Sequence, residues 1–271
     1  MRQPHARDRS EVCPSIRPAL LCALMGLASL LGLENPARAE PVTAVVEMFT
    51  SQGCTACRTA DPIMRDLAAQ PGILALTLPV TYWDYLGWRD TLAQRGFNER
   101  QRAYAHARGA RQVVTPQAVV NGGPAANGSS RQAIDKVMLE TNPGGTLPVP
   151  VSAEVRGSQI VVEVGPRPAE GQGLKVRSAR GEDKGDIWLV PLLKARTVKV
   201  ETGENGGRVA AYVNVVRGLQ RLGTWTGQAM RVEVPVAAGS LLGADGWVVL
   251  VQHSRDGRAG RILGAAKGPG L

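Results

Sequence analysis

Cysteine is scarce in this 271-residue chain, at four residues, and aromatic side chains make up only 4 % of it. Cys13 and Cys22 fall within the first 39 residues, which leaves Cys54 and Cys57 as the one pair beyond them. A disulfide-stapled scaffold needs several pairs at longer spacings, so that class is excluded. A zinc ribbon needs four ligands, and beyond Ala39 only His106 and His253 could join the two thiols. No Lys/Arg block interleaved with aromatics accompanies the net charge of +9, which argues against a nucleic-acid partner. Glycine is plentiful at Gly203–Gly207, but no lysine or helix start follows, so this stretch reads as a hairpin turn rather than a phosphate cradle. His253 closes an apolar run near Arg255 and Asp256 and reads as a satisfied surface histidine.

What is present begins with a leader. Arg2, Arg7, Arg9 and Arg17 precede an apolar run from Ala19 to Leu33, and Ala37-Arg38-Ala39 has the small-x-small form of a signal-peptidase site. The run is shorter than the ~20 residues that cross a bilayer. Cleavage after Ala39 is therefore expected, with residues 1–39 as a signal peptide, a periplasmic or secreted location and no stable membrane insertion afterwards. The leader holds five arginines against Asp8, Glu11 and Glu34, so +7 of the +9 stays with the rest of the chain.

Beyond the leader the pattern changes once. Apolar runs at Val42–Phe49, Ile73–Val80 and Gln117–Val120 read as strands. Helices are expected from Cys54 to about Ala69, from Glu99 to Arg108 behind a capping box of Asn98 and Gln101, and from Ser130 to Glu140. This is an α/β layout spanning 40–145. After Asn142-Pro143-Gly144-Gly145 come short β runs: Val149–Val155, Ile160–Val164, Leu174–Ser178, Ile187–Pro191, Thr197–Val200, Val209–Val216, Arg231–Val236 and Trp247–Gln252. Their spacing predicts an all-β, sandwich-like domain over 146–271.

The spacing of Cys54-Thr55-Ala56-Cys57 carries chemistry. Residues three apart at a helix start lie on one face, so their sulfurs can close and reopen a disulfide. Cys54, at the positive end of the expected helix, reads as an exposed nucleophile of lowered pKa, and Cys57 as the resolving thiol. Two other readings stay open: a structural disulfide in a non-enzymatic binding module, and a copper-binding or metallochaperone pair. Glu47, seven residues before Cys54 and among apolar neighbours, is a candidate buried carboxylate. It could take a proton from Cys57, or simply be satisfied by a backbone or Arg partner. Tyr82-Trp83-Asp84-Tyr85-Leu86-Gly87-Trp88 gathers four of the eleven aromatics. It either lines a cleft, with Tyr82, Trp83 and Trp88 as substrate contacts, or packs as a plug.

The strand–CxxC–helix setting resembles the thioredoxin superfamily, as does Pro62, five residues after Cys57. Pro62 has a second reading as a first-turn proline of a helix that starts later. A closer resemblance is to secreted bacterial proteins catalogued as a domain of unknown function with a thioredoxin-like fold. It rests on Glu47-Met48-Phe49-Thr50-Ser51-Gln52-Gly53-Cys54, on the Tyr82–Trp88 loop, and on Gln101-Arg102-Ala103-Tyr104-Ala105 and Thr115-Pro116-Gln117. It continues in Gly203-Glu204-Asn205, Asn214-Val215-Val216-Arg217 and Leu222-Gly223-Thr224-Trp225. Arg58 departs from the proline that many relatives carry after the second cysteine. The resemblance implies a cis proline at Pro116, substrate contacts at Thr115, an acid role for Glu47, and an α/β thioredoxin-like domain followed by the all-β domain. That family carries no assigned substrate; from the CxxC pair itself the expectation is exchange with protein thiols or disulfides of the cell envelope, without cofactor or metal.

Overall fold

Strand β1 (Ala44–Thr50) is buried along its whole length, as expected of a mostly apolar run with both faces of its sheet covered. Its parallel neighbour β2 (Ile73–Pro79) runs in register from Ala44 opposite Ile73 to Thr50 opposite Pro79. The crossover between them is a 3₁₀ turn over Thr55–Thr59 that leads straight into helix α1 (Ala60–Ala68). After β2 come a short 3₁₀ turn at Asp84–Leu86 and helix α2 (Arg95–Ala107), then β3 (Gln117–Val120), β4 (Ala125–Asn127) and α3 (Arg131–Thr141). β3 pairs antiparallel with β1 and β4 with β3. The computed structural model describes residues 41–168, 184–255 and 258–271, so the expected leader and the expected strand at Leu174–Ser178 lie outside the described residues.

The remaining strands are β5 (Val151–Arg156), β6 (Gln159–Val164), β7 (Gly185–Lys199), β8 (Val209–Val216), β9 (Gln220–Trp225), β10 (Met230–Pro235), β11 (Gly246–Arg255) and β12 (Arg258–Lys267). No break in the sheet falls at residue 145. The main sheet runs β12-β11-β7-β8-β2-β1-β3-β4, with β9 also on β7, and crosses from one half of the sequence to the other where β8 meets β2. That join is parallel and has one registered pair, Thr77 with Val215. Side chains complete it: the Thr77 hydroxyl donates to the Val213 carbonyl (2.6 Å), and Asn214 Nδ2 to the Ala75 carbonyl (2.9 Å). A second sheet, β10-β6-β5, packs on one face of the long strands.

Apolar clusters divide the faces. Val46 and Met48 point to α1 and α3, meeting Ala60, Met64, Leu67 and Ile134. Val45 and Phe49, one residue out of phase, point to α2, meeting Phe97 and Tyr104 together with Val248, Leu250 and Ile262 from β11 and β12. Ile187, Leu189, Val249 and Val251 face the smaller sheet through Ile160 and Val162, with Trp225 of β9 in the same cluster. The strict alternation of Leu189 with Val190, and of Val248 with Val249, shows why β7 and β11 are apolar on both sides.

Several local expectations change in detail. The expected strands at Ile187–Pro191 and Thr197–Val200 are parts of one 15-residue strand, β7. Helix α2 starts four residues before Glu99, at Arg95. Asn98 and Gln101 do not cap it: both are buried, and Asn98 is spent on Thr81, accepting its N–H at 3.0 Å and donating to its hydroxyl at 2.7 Å. Ser130, by contrast, caps α3 and accepts from Ala133 N–H (3.2 Å). Pro62 sits in the first turn of α1, where a missing N–H costs no hydrogen bond. No helix among the described residues is long and apolar enough to cross a membrane.

Candidate functional site

Cys54 and Cys57 form a disulfide, with Cα atoms 5.3 Å apart. Cys54 caps the 3₁₀ turn rather than an α-helix, and Cys57 N–H donates to its carbonyl (3.1 Å). The helical-turn proximity expected from the sequence is therefore met by a tighter turn, with α1 beginning only at Ala60. The expected exposure of Cys54 is not: Cys54 is 3 % exposed and Cys57 1 %. The peptide bond Thr115–Pro116, at the entry to β3, is cis and faces the pair. Cys54 Sγ lies 3.7 Å from the Thr115 carbonyl oxygen, and the Thr115 hydroxyl donates to the same sulfur at 3.3 Å.

The aromatic loop closes around this contact. Trp83 Nε1–H donates to Thr115 Oγ1 (2.7 Å), and the Trp83 backbone packs so closely on Gly53 that a Cβ there would stand 3.1 Å from its carbonyl oxygen. Tyr82 donates to Gln101 Oε1 (3.0 Å), and Gln101 Nε2 donates to the Val114 carbonyl (2.8 Å) and to Gln117 Oε1 (3.1 Å), bracing both sides of the cis bond. Burial pushes the Tyr82 phenol up. Trp88 Nε1–H donates to Gln52 Oε1 (2.7 Å), two residues before Cys54. Tyr85 alone of the four faces out, 76 % exposed and stacked on Trp83. The loop thus packs around the thiol pair and holds the frame of the site.

Two buried carboxyls underlie this frame. Asp90 accepts from Gln52 N–H (2.7 Å) and Leu92 N–H (2.9 Å), and desolvation pushes its pKa up to about 6. Asp84 accepts from Asp90 N–H (3.1 Å) and so caps this segment. Asp61, four residues after Cys57, pairs with Arg208; burial still raises its pKa to about 6. Glu47 goes elsewhere. Its carboxylate accepts from Arg100 Nε (2.7 Å) and Tyr104 OH (2.5 Å) on the α2 side, and none of its described hydrogen bonds reaches a cysteine.

The hairpin between β7 and β8, discounted from the sequence, proves to be a wall of the site. Asn205 is buried and brackets the motif: its Nδ2 donates to the Gln52 carbonyl (2.7 Å), while its Oδ1 accepts from Arg58 Nε (2.7 Å). The Thr55 hydroxyl donates to Glu204 Oε2 (3.0 Å), and Thr202 to the Gly87 carbonyl (2.6 Å). Gly203 adopts φ +74°, and a Cβ there would stand 2.7 Å from the Leu86 carbonyl oxygen, so only glycine fits. The recurrence of Gly203-Glu204-Asn205 among the resemblance motifs is the one sequence signal that pointed here. Arg58, out of line with the relatives' proline, supplies the bond to Asn205. Among the described residues no group of three or more His, Cys, Asp and Glu is placed to hold a metal ion.

The family model described as "Protein of unknown function (DUF1223)" matches residues 45–252. The chain belongs to that family. The match takes in both the cysteine motif and the β7–β8 hairpin. A crystal structure of a protein from Agrobacterium tumefaciens is similar over 84 % of this chain and 94 % of its own, at 31 % identity and a TM-score of 0.70. HBP35 of Porphyromonas gingivalis covers 85 % of this chain and 76 % of its own at 12 % identity and a TM-score of 0.55, a likeness of fold alone. No curated protein matches the chain at a significant level.

Proposed function

We propose that this family member is an exported thiol–disulfide exchange protein whose first half is thioredoxin-like and whose partners are protein thiols or disulfides of the cell envelope. One observation carries the reading: the Cys54–Cys57 bond lies against the cis Thr115–Pro116 bond, with the Thr115 hydroxyl on Cys54 Sγ. A pair three residues apart on one turn opens and closes with little movement, which exchange needs and a staple does not. The strand–turn–helix setting of the pair and the parallel β1–β2 crossover are in keeping with the thioredoxin-like expectation.

In the oxidising direction, a partner thiolate attacks Cys54 Sγ, and the electron pair of the broken S–S bond leaves on Cys57. The mixed disulfide is then resolved by a second partner thiolate, which displaces Cys54. The partner ends with a disulfide and this protein with a dithiol, so two electrons and two protons have passed. The reverse sequence reduces a partner. Because both sulfurs are buried, attack requires the cover formed by the 82–88 loop and the β7–β8 hairpin to part.

A second reading, a structural disulfide, draws on that same burial. Equilibration of the full-length protein in glutathione buffers separates the two. The exchange reading expects a bond in balance with the buffer above about −300 mV, and a Cys57→Ser variant that accumulates mixed disulfides through Cys54. A bond that stays closed below that potential, with no mixed disulfide trapped, identifies a staple.

A further inference from the structure

We infer that Trp83 is a positioning residue for Cys54, acting through the Thr115 hydroxyl to stabilise the Cys54 thiolate. This rests on the exchange reading above but concerns a different property. An indole N–H can only donate, so at 2.7 Å it occupies a lone pair of Thr115 Oγ1 and leaves the hydroxyl's single proton for another acceptor. Cys54 Sγ is one acceptor, at 3.3 Å; the Tyr82 phenol oxygen, whose own proton goes to Gln101, is the other within reach. In the disulfide the bond is weak. Once reduction places negative charge on Sγ, the same hydroxyl makes a charge-assisted bond, polarised by the indole behind it.

This arrangement acts beside the helix terminus that the sequence suggested. Cys54 caps a five-residue 3₁₀ segment that runs on into α1 at Ala60, and the Thr115 hydroxyl adds a directed donor to that terminus. The charged groups around the motif are Arg58, which follows Cys57 and is held by Asn205, Glu204, held on Thr55, and the buried Asp90, which takes the Gln52 N–H. Asp61 with Arg208 lies on α1, four residues after Cys57. The described hydrogen bonds of these groups go elsewhere than Sγ, so the Thr115 hydroxyl is the directed contribution there. Loop placement agrees: Gln101, itself held by Tyr82, takes the Val114 carbonyl just before Thr115, and Gly53 admits the Trp83 backbone at van der Waals range.

The test is the pH titration of thiolate absorbance at 240 nm in the reduced full-length protein, for wild type and for Trp83→Phe, Thr115→Val, Thr115→Ser and the Trp83→Phe/Thr115→Val double variant. Thr115→Val is expected to raise the Cys54 pKa by about one pH unit and Trp83→Phe by about half as much. Thr115→Ser keeps the hydroxyl and the wild-type value. The decisive result is non-additivity, with the double variant titrating like Thr115→Val alone. Should Trp83→Phe fold poorly, replacing Trp83 with β-(3-benzothienyl)alanine removes the N–H and keeps the bicyclic ring. An unchanged pKa in either N–H-less variant, or additive shifts in the double variant, overturns the inference. If wild type fails to exchange with glutathione yet shows the coupled shifts, the exchange reading falls and the Trp83–Thr115 coupling stands.

Discussion

Two buried polar clusters hang from the same stretch of chain, seven residues apart at Glu47 and Cys54, and they follow opposite chemical plans. Around Glu47 every strong group is matched. The carboxylate takes Arg100 and Tyr104, Arg100 Nη2 donates to Gln252 Oε1 (3.0 Å), and Gln252 Nε2 donates to Tyr104 OH and the Gly260 carbonyl (both 2.7 Å). Burial pulls the Arg100 guanidinium down, and the Glu47 carboxylate more than offsets this. The cluster ties β1 and α2 to β11 and β12, and no strong bond is left over for chemistry. Around Cys54 the nearest donors are neutral, a hydroxyl and an indole. A saturated ion pair locks a junction; neutral donors leave a sulfur free to change its bonding and its charge.

The first way to break this comparison is Glu47→Ala. It leaves the buried Arg100 without its counter-charge and is expected to cost about 3–5 kcal/mol of stability in denaturant titration. The redox potential of Cys54–Cys57 should stay where it was. A large potential shift would mean that Glu47 serves the cysteines after all.

Next in size is the pH dependence set by Asp90. Its folded pKa of about 6 stands above the ordinary 3.8, so between those values the folded protein binds more protons than the unfolded chain. The contribution is fully present below about pH 4 and is lost as pH rises to about 6, by roughly 3 kcal/mol. Asp90→Asn should flatten that fall in stability; Asp61 contributes with the same sign and should leave a residual slope.

Asn205→Ala removes two bonds that bracket the motif and is expected to cost about 1–3 kcal/mol. It sharpens the comparison because, unlike Glu47→Ala, it should also speed alkylation of the reduced cysteines by loosening their cover. Ser130→Ala, which removes the α3 cap, should cost about 1 kcal/mol and leave alkylation unchanged, and so serves as the control.

Local patterns in the sequence carried much of this. The bounds of β3 and β8, the presence of α3 and the CxxC spacing follow from neighbours within a few positions, where periodicity acts. The chain-distant arrangements did not show. The β8–β2 join has a single registered pair completed by Thr77 and Asn214, which leaves no alternating signature. β4, β9 and β12 are short, polar or glycine-bearing and take their strand form from their partners. Asn98 and Gln101 matched a capping box because polar residues near a helix start usually cap it. Tertiary demand won, since Thr81, Tyr82, Val114 and Gln117 needed those amides inside. An arginine partner for Glu47 was one of the readings left open, and nothing local pointed to Arg100, 53 residues away.

The position of Asn205 has a practical consequence for dissecting the molecule. A fragment ending near residue 145 keeps both cysteines and the cis proline but loses the side chain that grips the chain before Cys54 and after Cys57. Its sulfurs would meet solvent that the intact protein withholds, and its reactivity would describe the fragment alone. Grafting the motif onto another scaffold, or exchanging the β region between relatives, alters the thiols' surroundings as directly as a substitution between the cysteines themselves.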